Sequence, residues 1–165
     1  MTYRTIVADP PWLERGGGKV KRGADRHYPL LSTSEIVRVM LQSPAWQPDR
    51  TGCHLYLWVT DNRVPDGLHV IQALGFRFVR QVIWCKDKIG LGQYFRSQHE
   101  PCFFGVMGRL GVRAKFPSVI EARRRQHSEK PEEFFEIVER ASHPPYLEMF
   151  ARRLRPNWDV WGNEV

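Results

Sequence analysis

Near the start of the chain, Asp9-Pro10-Pro11-Trp12 combines residue types that suit chemistry on an amine. Asp9 offers a carboxylate acceptor. Pro10 has no N–H to donate, and its ring fixes the backbone so that a carbonyl can point into a cleft. Trp12 offers a flat surface on which a base can stack, worth ~1–3 kcal/mol per base in nucleic-acid complexes. An exocyclic amine whose two hydrogens press on two fixed acceptors loses conjugation with its ring and becomes a better nucleophile. The pattern therefore suits alkylation of such an amine. Taken alone, the same tetrapeptide equally suits a strand-ending turn with a core tryptophan.

Something must hold that motif in place. Residues 3–8 form a β-branched run that Pro10 and Pro11 stop, which predicts a strand with the motif at its carboxyl end. Open α/β sheets bind ligands there. Residues 13–26, with Gly16-Gly17-Gly18 and Gly23, read as a loop. Ser32-Thr33-Ser34-Glu35 then opens an apolar stretch at helical spacing, with Ser32 or Thr33 as cap. Further strands are predicted over 54–60, 76–86, 100–108, 146–152 and 158–162. Helices are predicted over 64–74, ended by Gly75, and from Lys130-Pro131-Glu132-Glu133 onward. Alternating strands and helices predict an α/β fold, a three-layer sheet. With no repeat, low-complexity tract or linker, residues 1–165 are expected to be one domain.

The 165 residues are 42% apolar and 26% charged, values of an ordinary globular chain. No apolar run approaches the ~20 residues of a membrane helix, and the amino-terminal stretch lacks a secretory pattern. Three cysteines at wide spacing (Cys53, Cys85, Cys102) give neither a disulfide framework nor a zinc signature. His27, His99, His127 and His143 are too dispersed to suggest a metal site. A cytoplasmic protein without membrane attachment is expected.

The net charge of +7 is uneven: residues 13–28 carry +3 and residues 107–125 carry +5. Two basic islands on a nearly neutral scaffold suit a polyanion, although lysine and arginine also simply solvate loops. Lys19, Lys21 and Arg22 in the first island and Arg123-Arg124-Arg125 in the second are the candidate phosphate contacts.

Beyond the first motif stand His27-Tyr28-Pro29, Leu57-Trp58-Val59-Thr60, Val82-Ile83-Trp84-Cys85-Lys86 and His99-Glu100-Pro101. Then follow Lys130-Pro131, Glu148-Met149-Phe150-Ala151-Arg152 and Trp158-Asp159-Val160-Trp161-Gly162-Asn163-Glu164. In this order the set resembles the MT-A70 family of adenine-N6 methyltransferases, which includes the catalytic subunit of the mRNA adenosine methyltransferase. The resemblance covers essentially the whole chain, in a form similar to minimal bacterial or phage members.

The resemblance implies a Rossmann-like S-adenosylmethionine-dependent methyltransferase with permuted motif order, which accommodates the absence of a G-x-G-x-x-G fingerprint. It implies that Asp9 and the Pro10 carbonyl accept the hydrogens of adenine N6, with Pro11 and Trp12 completing the catalytic motif and Tyr28 closing over the base. Lys130 would contact the methionine carboxylate of the cofactor. Glu148, Phe150 and Arg152 would serve the ribose side, and Asn163 and Glu164 the ribose or adenine. Nucleic acid is then the expected substrate, DNA more than RNA, flipped or single-stranded. A homodimer would be one source of sequence specificity. The alternatives are an RNA adenosine methyltransferase and a methyltransferase-like subunit that binds nucleic acid without catalysis.

Overall fold

The computed structural model describes residues 1–13, 30–126, 129–163 and 165. Seven strands among them form one mixed sheet: β1 (Thr5–Ala8), β2 (Gly52–Trp58), β3 (Arg77–Lys86), β4 (His99–Gly108), β5 (Val119–Ala122), β6 (Tyr146–Met149) and β7 (Trp158–Trp161). Their spatial order is β5-β3-β4-β2-β1-β6-β7. Of these, only β4 runs against the others, pairing antiparallel with both β2 and β3. The expected α/β fold is present, with β5 an addition to the strands read from sequence.

Central parallel strands are covered on both faces and so read as continuous apolar runs. Every residue of β1 and β2 is buried. Their alternation assigns the layers. Ile6, Ala8, Leu55 and Leu57 pack in one cluster with Ile36 and Met40 of α1 (Thr33–Gln42) and Val70 and Ile71 of α2 (Val64–Ala73). Val7, Tyr56 and Trp58 point the opposite way, toward Phe134, Phe135 and Val138 of α3 (Glu132–Ala141). This is a helix–sheet–helix sandwich.

Local chemistry sets the helix ends. Ser32 caps α1 in a reciprocal box: its hydroxyl accepts from the Glu35 N–H, and the Glu35 carboxylate accepts from the Ser32 N–H. Gly75, at φ +87°, takes the left-handed position that turns the chain from α2 toward β3. Pro131 sits at the amino-terminal cap of α3, one residue earlier than a first-turn placement, and Glu132 and Glu133 occupy the first turn.

The crevice follows from topology. β1 lies between two parallel neighbours, β2 reached through α1, and β6, which arrives only after α3. The chain crosses from β1 to β2 over one face through α1 and reaches β6 from the other face through α3, the kind of reversal beside which open α/β sheets bind ligands at their carboxyl ends. Asp9 follows β1 and Phe150 follows β6.

Candidate active site

The segment after β1 is held by backbone bonds on both sides. The Asp9 N–H donates to the Met149 carbonyl at 3.4 Å, and the Trp12 N–H donates to the Pro10 carbonyl at 2.9 Å. Leu31 clamps the motif: its N–H donates to the Pro11 carbonyl at 2.8 Å, and its carbonyl accepts from the Leu13 N–H at 2.9 Å. The Pro10 carbonyl expected to face an amine thus already accepts one hydrogen bond and has its second lone pair for another.

Trp12 departs from expectation. Its ring is 4% exposed within the core cluster, and its indole N–H donates to the Trp58 carbonyl at 2.8 Å. An apolar ring with its one donor satisfied belongs inside, so the open stacking face read from sequence is replaced by an anchor that pins the motif to β2.

Four charged groups converge beside this anchor. Lys130 Nζ lies 3.1 Å from Asp9 Oδ2 and 3.1 Å from Glu100 Oε2, and Lys86 Nζ lies 2.8 Å from Glu100 Oε1. Each ammonium also stands over an indole, Lys130 at 5.1 Å from the Trp58 ring and Lys86 at 5.0 Å from the Trp84 ring. With 10% of its side chain exposed, Lys130 is therefore the hub of the cluster and not a solvated helix-terminal lysine. Burial favours its neutral form, but Asp9 and Glu100 outweigh this and raise its pKa. Burial likewise opposes the Glu100 carboxylate, yet the charges of Lys130 and Lys86 hold it at about 2. For Asp9, burial wins and raises the pKa; Lys130 opposes the rise and Glu100 adds to it.

A second group of charges lies beyond β6. Glu148 Oε2 faces Arg155 Nε at 3.7 Å, too far for a hydrogen bond, and both atoms are buried without a hydrogen-bond partner among the described residues. Burial pushes Glu148 up to about 7 against the opposing Arg155 charge. The Arg155 guanidinium lies 3.5 Å from the Phe135 ring centre and donates to Glu132 Oε2 at 2.7 Å. Arg153 joins Glu132 to Glu129, and Glu129 reaches Arg125 at 3.4 Å. Phe150 takes φ +60°, a left-handed conformation uncommon for a bulky residue, where the chain bends out of β6. There the backbones of the β6 and β7 ends come together. The Ala151 N–H donates to the Trp161 carbonyl, and a Cβ on Gly162 would stand 2.4 Å from the Ala151 carbonyl oxygen. Only glycine fits there.

The structure thus brings Asp9, Lys130, Glu148, Phe150 and Arg152 to neighbouring strand ends, with Asn163 following β7. Tyr28, Lys19, Lys21, Arg22 and Glu164 lie outside the described residues. Arg123, Arg124 and Arg125 are exposed just past β5, but Arg125 is already paired with Glu129. Sequence reasoning missed Lys86, Glu100 and Arg155. A hairpin register was the available signal for the first two: Trp84 pairs with Glu100, so Lys86 lies diagonal to it on the same face.

A surface cleft of about 680 Å³ opens beside Leu13, lined by Ser32, Thr33, Ser34, Asn62, Arg63 and His69. It borders the motif without including the charge cluster. Among the described residues, no three His, Cys, Asp or Glu side chains are grouped to hold a metal, and all three cysteines are free thiols. No described helix is long and apolar enough to cross a membrane.

The MT-A70 family model matches residues 3–164, a span that runs from β1 through Asn163. The chain belongs to the MT-A70 family. It is 29% identical over 180 residues to the N(6)-adenosine-methyltransferase catalytic subunit METTL3 of Homo sapiens, covering 99% of this chain and 28% of that protein. It is 28% identical over 177 residues to a probable N(6)-adenosine-methyltransferase MT-A70-like protein of Oryza sativa subsp. japonica, of which it covers 23%. It is 27% identical over 188 residues to the Type II methyltransferase M.MunI of a Mycoplasma species, covering 99% of this chain and 78% of that protein. The chain therefore spans about a quarter of the length of its eukaryotic relatives and most of M.MunI.

Proposed function

We propose that residues 1–165 are one methyltransferase catalytic domain that transfers a methyl group from S-adenosylmethionine to the exocyclic N6 amine of adenine in nucleic acid. The observation that carries this reading is the Asp9–Lys130–Glu100 cluster at the crevice of a sheet in this family. Lys130 bonds one oxygen of Asp9 and so fixes the carboxylate's orientation. An acceptor fixed in advance supports an amine without reorganising during attack. Asp9 and the remaining lone pair of Pro10 are the two acceptors. As the amine nitrogen attacks, it gains positive charge. Its acidified proton leaves to Asp9 or to water, so no strong base is needed.

The residues around β6 and β7 fit the cofactor. A buried carboxylate oxygen on Glu148 without a hydrogen-bond partner among the described residues suits a ribose hydroxyl, which donates to acceptors. S-adenosylmethionine, when bound, supplies an electrophilic methyl group on sulfur. Glu148, Phe150, Arg152, Asn163 and Glu164 are assigned to its nucleoside side. Lys130 serves Asp9 first and meets the methionine carboxylate as the family resemblance implies. Tyr28, with the basic residues Lys19, Lys21 and Arg22, is assigned to the substrate side together with Arg123 and Arg124.

DNA is favoured over RNA on the resemblance to bacterial or phage members of the family, and M.MunI, a Type II methyltransferase, is among the relatives. A cytoplasmic location and a homodimer complete the proposal. The test is incubation with deuterated-methyl S-adenosylmethionine and single- and double-stranded DNA and RNA, followed by mass spectrometry of the nucleosides. Labelled N6-methyladenine is expected, most of all from DNA. Cofactor binding with no label in any pool would contradict the reaction, and absence of cofactor binding would leave a nucleic-acid-binding subunit.

A further inference from the structure

The loop 87–98, between β3 and β4, springs directly from the charge cluster: it leaves Lys86 and re-enters at His99 and Glu100. It is closed by its own backbone. The Gly90 N–H donates to the Ser97 carbonyl at 2.7 Å, the Phe95 N–H to the Gln93 carbonyl at 2.6 Å, and Arg96 Nε to the Gly90 carbonyl at 3.1 Å. Its base is tied to the turn after β2, where Asp61 meets both Ser97 and His99 at 3.5 Å. This hydrogen-bonded scaffold displays what a folded chain normally hides. Tyr94 is fully exposed and Phe95 is 89% exposed, with Ile89 and Leu91 more than half exposed beside them. Tyr94 has φ +59°, a left-handed conformation that a bulky side chain adopts only with strain.

Charge decides what covers this tip. Lys88 and Arg96 lie within the loop and are exposed. The parallel pairing of Lys86 with Ala122 sends the residues after β3 and β5 off the same end of the sheet, so Arg123 and Arg124 emerge alongside. The Arg124 N–H donates to Asp87 Oδ1 at 2.9 Å, fastening the arginine turn to the loop's first residue and occupying its acidic side chain. Exposed aromatic rings among exposed cations, on a loop that springs from the Lys86–Glu100–Lys130 cluster, are the elements of a single-strand stacking platform. A platform for a neutral protein partner would not need four cations.

We infer that the tip of loop 87–98 is a nucleic-acid contact on which Tyr94 and Phe95 stack the bases next to the target adenine, while Lys88, Arg96, Arg123 and Arg124 neutralise the phosphates. The inference rests on the nucleic-acid reading above and adds the surface that holds the strand. Neither ring touches the reacting amine; both position it.

The test uses the Tyr94→Ala/Phe95→Ala double variant and the conservative Tyr94→Phe/Phe95→Tyr variant beside the wild type. Affinity for a fluorescent adenine-containing single-stranded DNA is read across a salt series, with S-adenosylmethionine affinity and mass in solution measured in parallel. The alanine variant is expected to bind the strand about tenfold more weakly or worse, the loss of at least one stacked base. Its salt slope, cofactor affinity and thermal midpoint should be unchanged, and the conservative variant should bind as the wild type does. A wild type that binds the strand and an alanine variant that binds it equally would overturn the stacking role alone. Equal strand binding with a dimeric wild type and a monomeric alanine variant would assign the tip to self-association, again overturning it. A wild type that binds cofactor but no nucleic acid would overturn the inference together with the reading beneath it.

Discussion

Two acidic sites stand at neighbouring strand ends, and they are built in opposite ways. Around Asp9 and Glu100, two carboxylates alternate with two ammonium groups at 2.8–3.1 Å, and Glu100 is held at about 2. Around Glu148, Nε of Arg155 is 3.7 Å from Oε2, both atoms lack hydrogen bonds among the described residues, and the carboxyl rises to about 7. The first arrangement has its charges matched within the protein, which suits groups that must keep one geometry through a reaction. The second keeps acceptor capacity for something else. Buried charge is tolerated only when partnered, so the contrast separates a site whose charges are already matched and held in place from one whose carboxylate keeps an acceptor for a ligand.

Substitutions sharpen that contrast. Lys130→Met removes the hub and leaves Asp9 and Glu100 facing each other. We expect a destabilisation of about 1–3 kcal/mol, less than for a fully buried pair because Asp9 and Glu100 keep 25% and 30% of their side-chain surface in solvent, read as a lower urea midpoint. Lys130→Met stability equal to the wild type would show that the cluster does not act as a coupled network. Glu100 and Glu148 should also respond oppositely to pH. Glu100 has a folded pKa below its unfolded value, so its contribution is present above pH ~4.5 and is lost as pH falls toward about 2. Glu148 has a raised folded pKa, so its contribution is full below pH ~4.5 and disappears as pH rises through about 7. Glu148→Gln should therefore flatten the decline in stability between pH 5 and 8 and weaken S-adenosylmethionine binding. A wild-type slope in that variant would place the titration elsewhere.

The smallest effect concerns the arginines. Neutralising Arg123 and Arg124 should reduce the slope of log affinity against log salt by ~0.7 for each single-strand phosphate left without its cation. Arg125→Gln should change it less, because Glu129 already holds that charge. Equal slopes for all three would show that the ion ladder does not restrain Arg125.

Much of this fold was legible because local chemistry and packing agree. The Ser32–Glu35 box, Gly75 and the fully buried, mostly β-branched β1 each specify their own structure. β5 escaped because its four residues sit between basic loops, with only Ile120 buried, and its strand character comes from pairing with β3. The site was legible where a residue's neighbours in sequence are its partners, as along Asp9-Pro10-Pro11-Trp12. It was hidden where partners are remote. Trp12 needs the Trp58 carbonyl to explain its burial, and Glu100 gains meaning only when Lys86 and Lys130 arrive from β3 and the start of α3. The pairing of Arg155 with Glu148 likewise depends on how the chain folds back after β6.

The most direct measurement is the single-turnover rate of methyl transfer to adenine by Asp9→Asn, at saturating cofactor and strand, beside the wild type. The substitution keeps the shape and removes the charge that Lys130 orients. The expected result is a rate about 10²–10³ lower, the effect of removing one positioned polar group from a transition state, with cofactor affinity unchanged. A rate within a factor of two of the wild type would show that Asp9 does not hold the reacting amine.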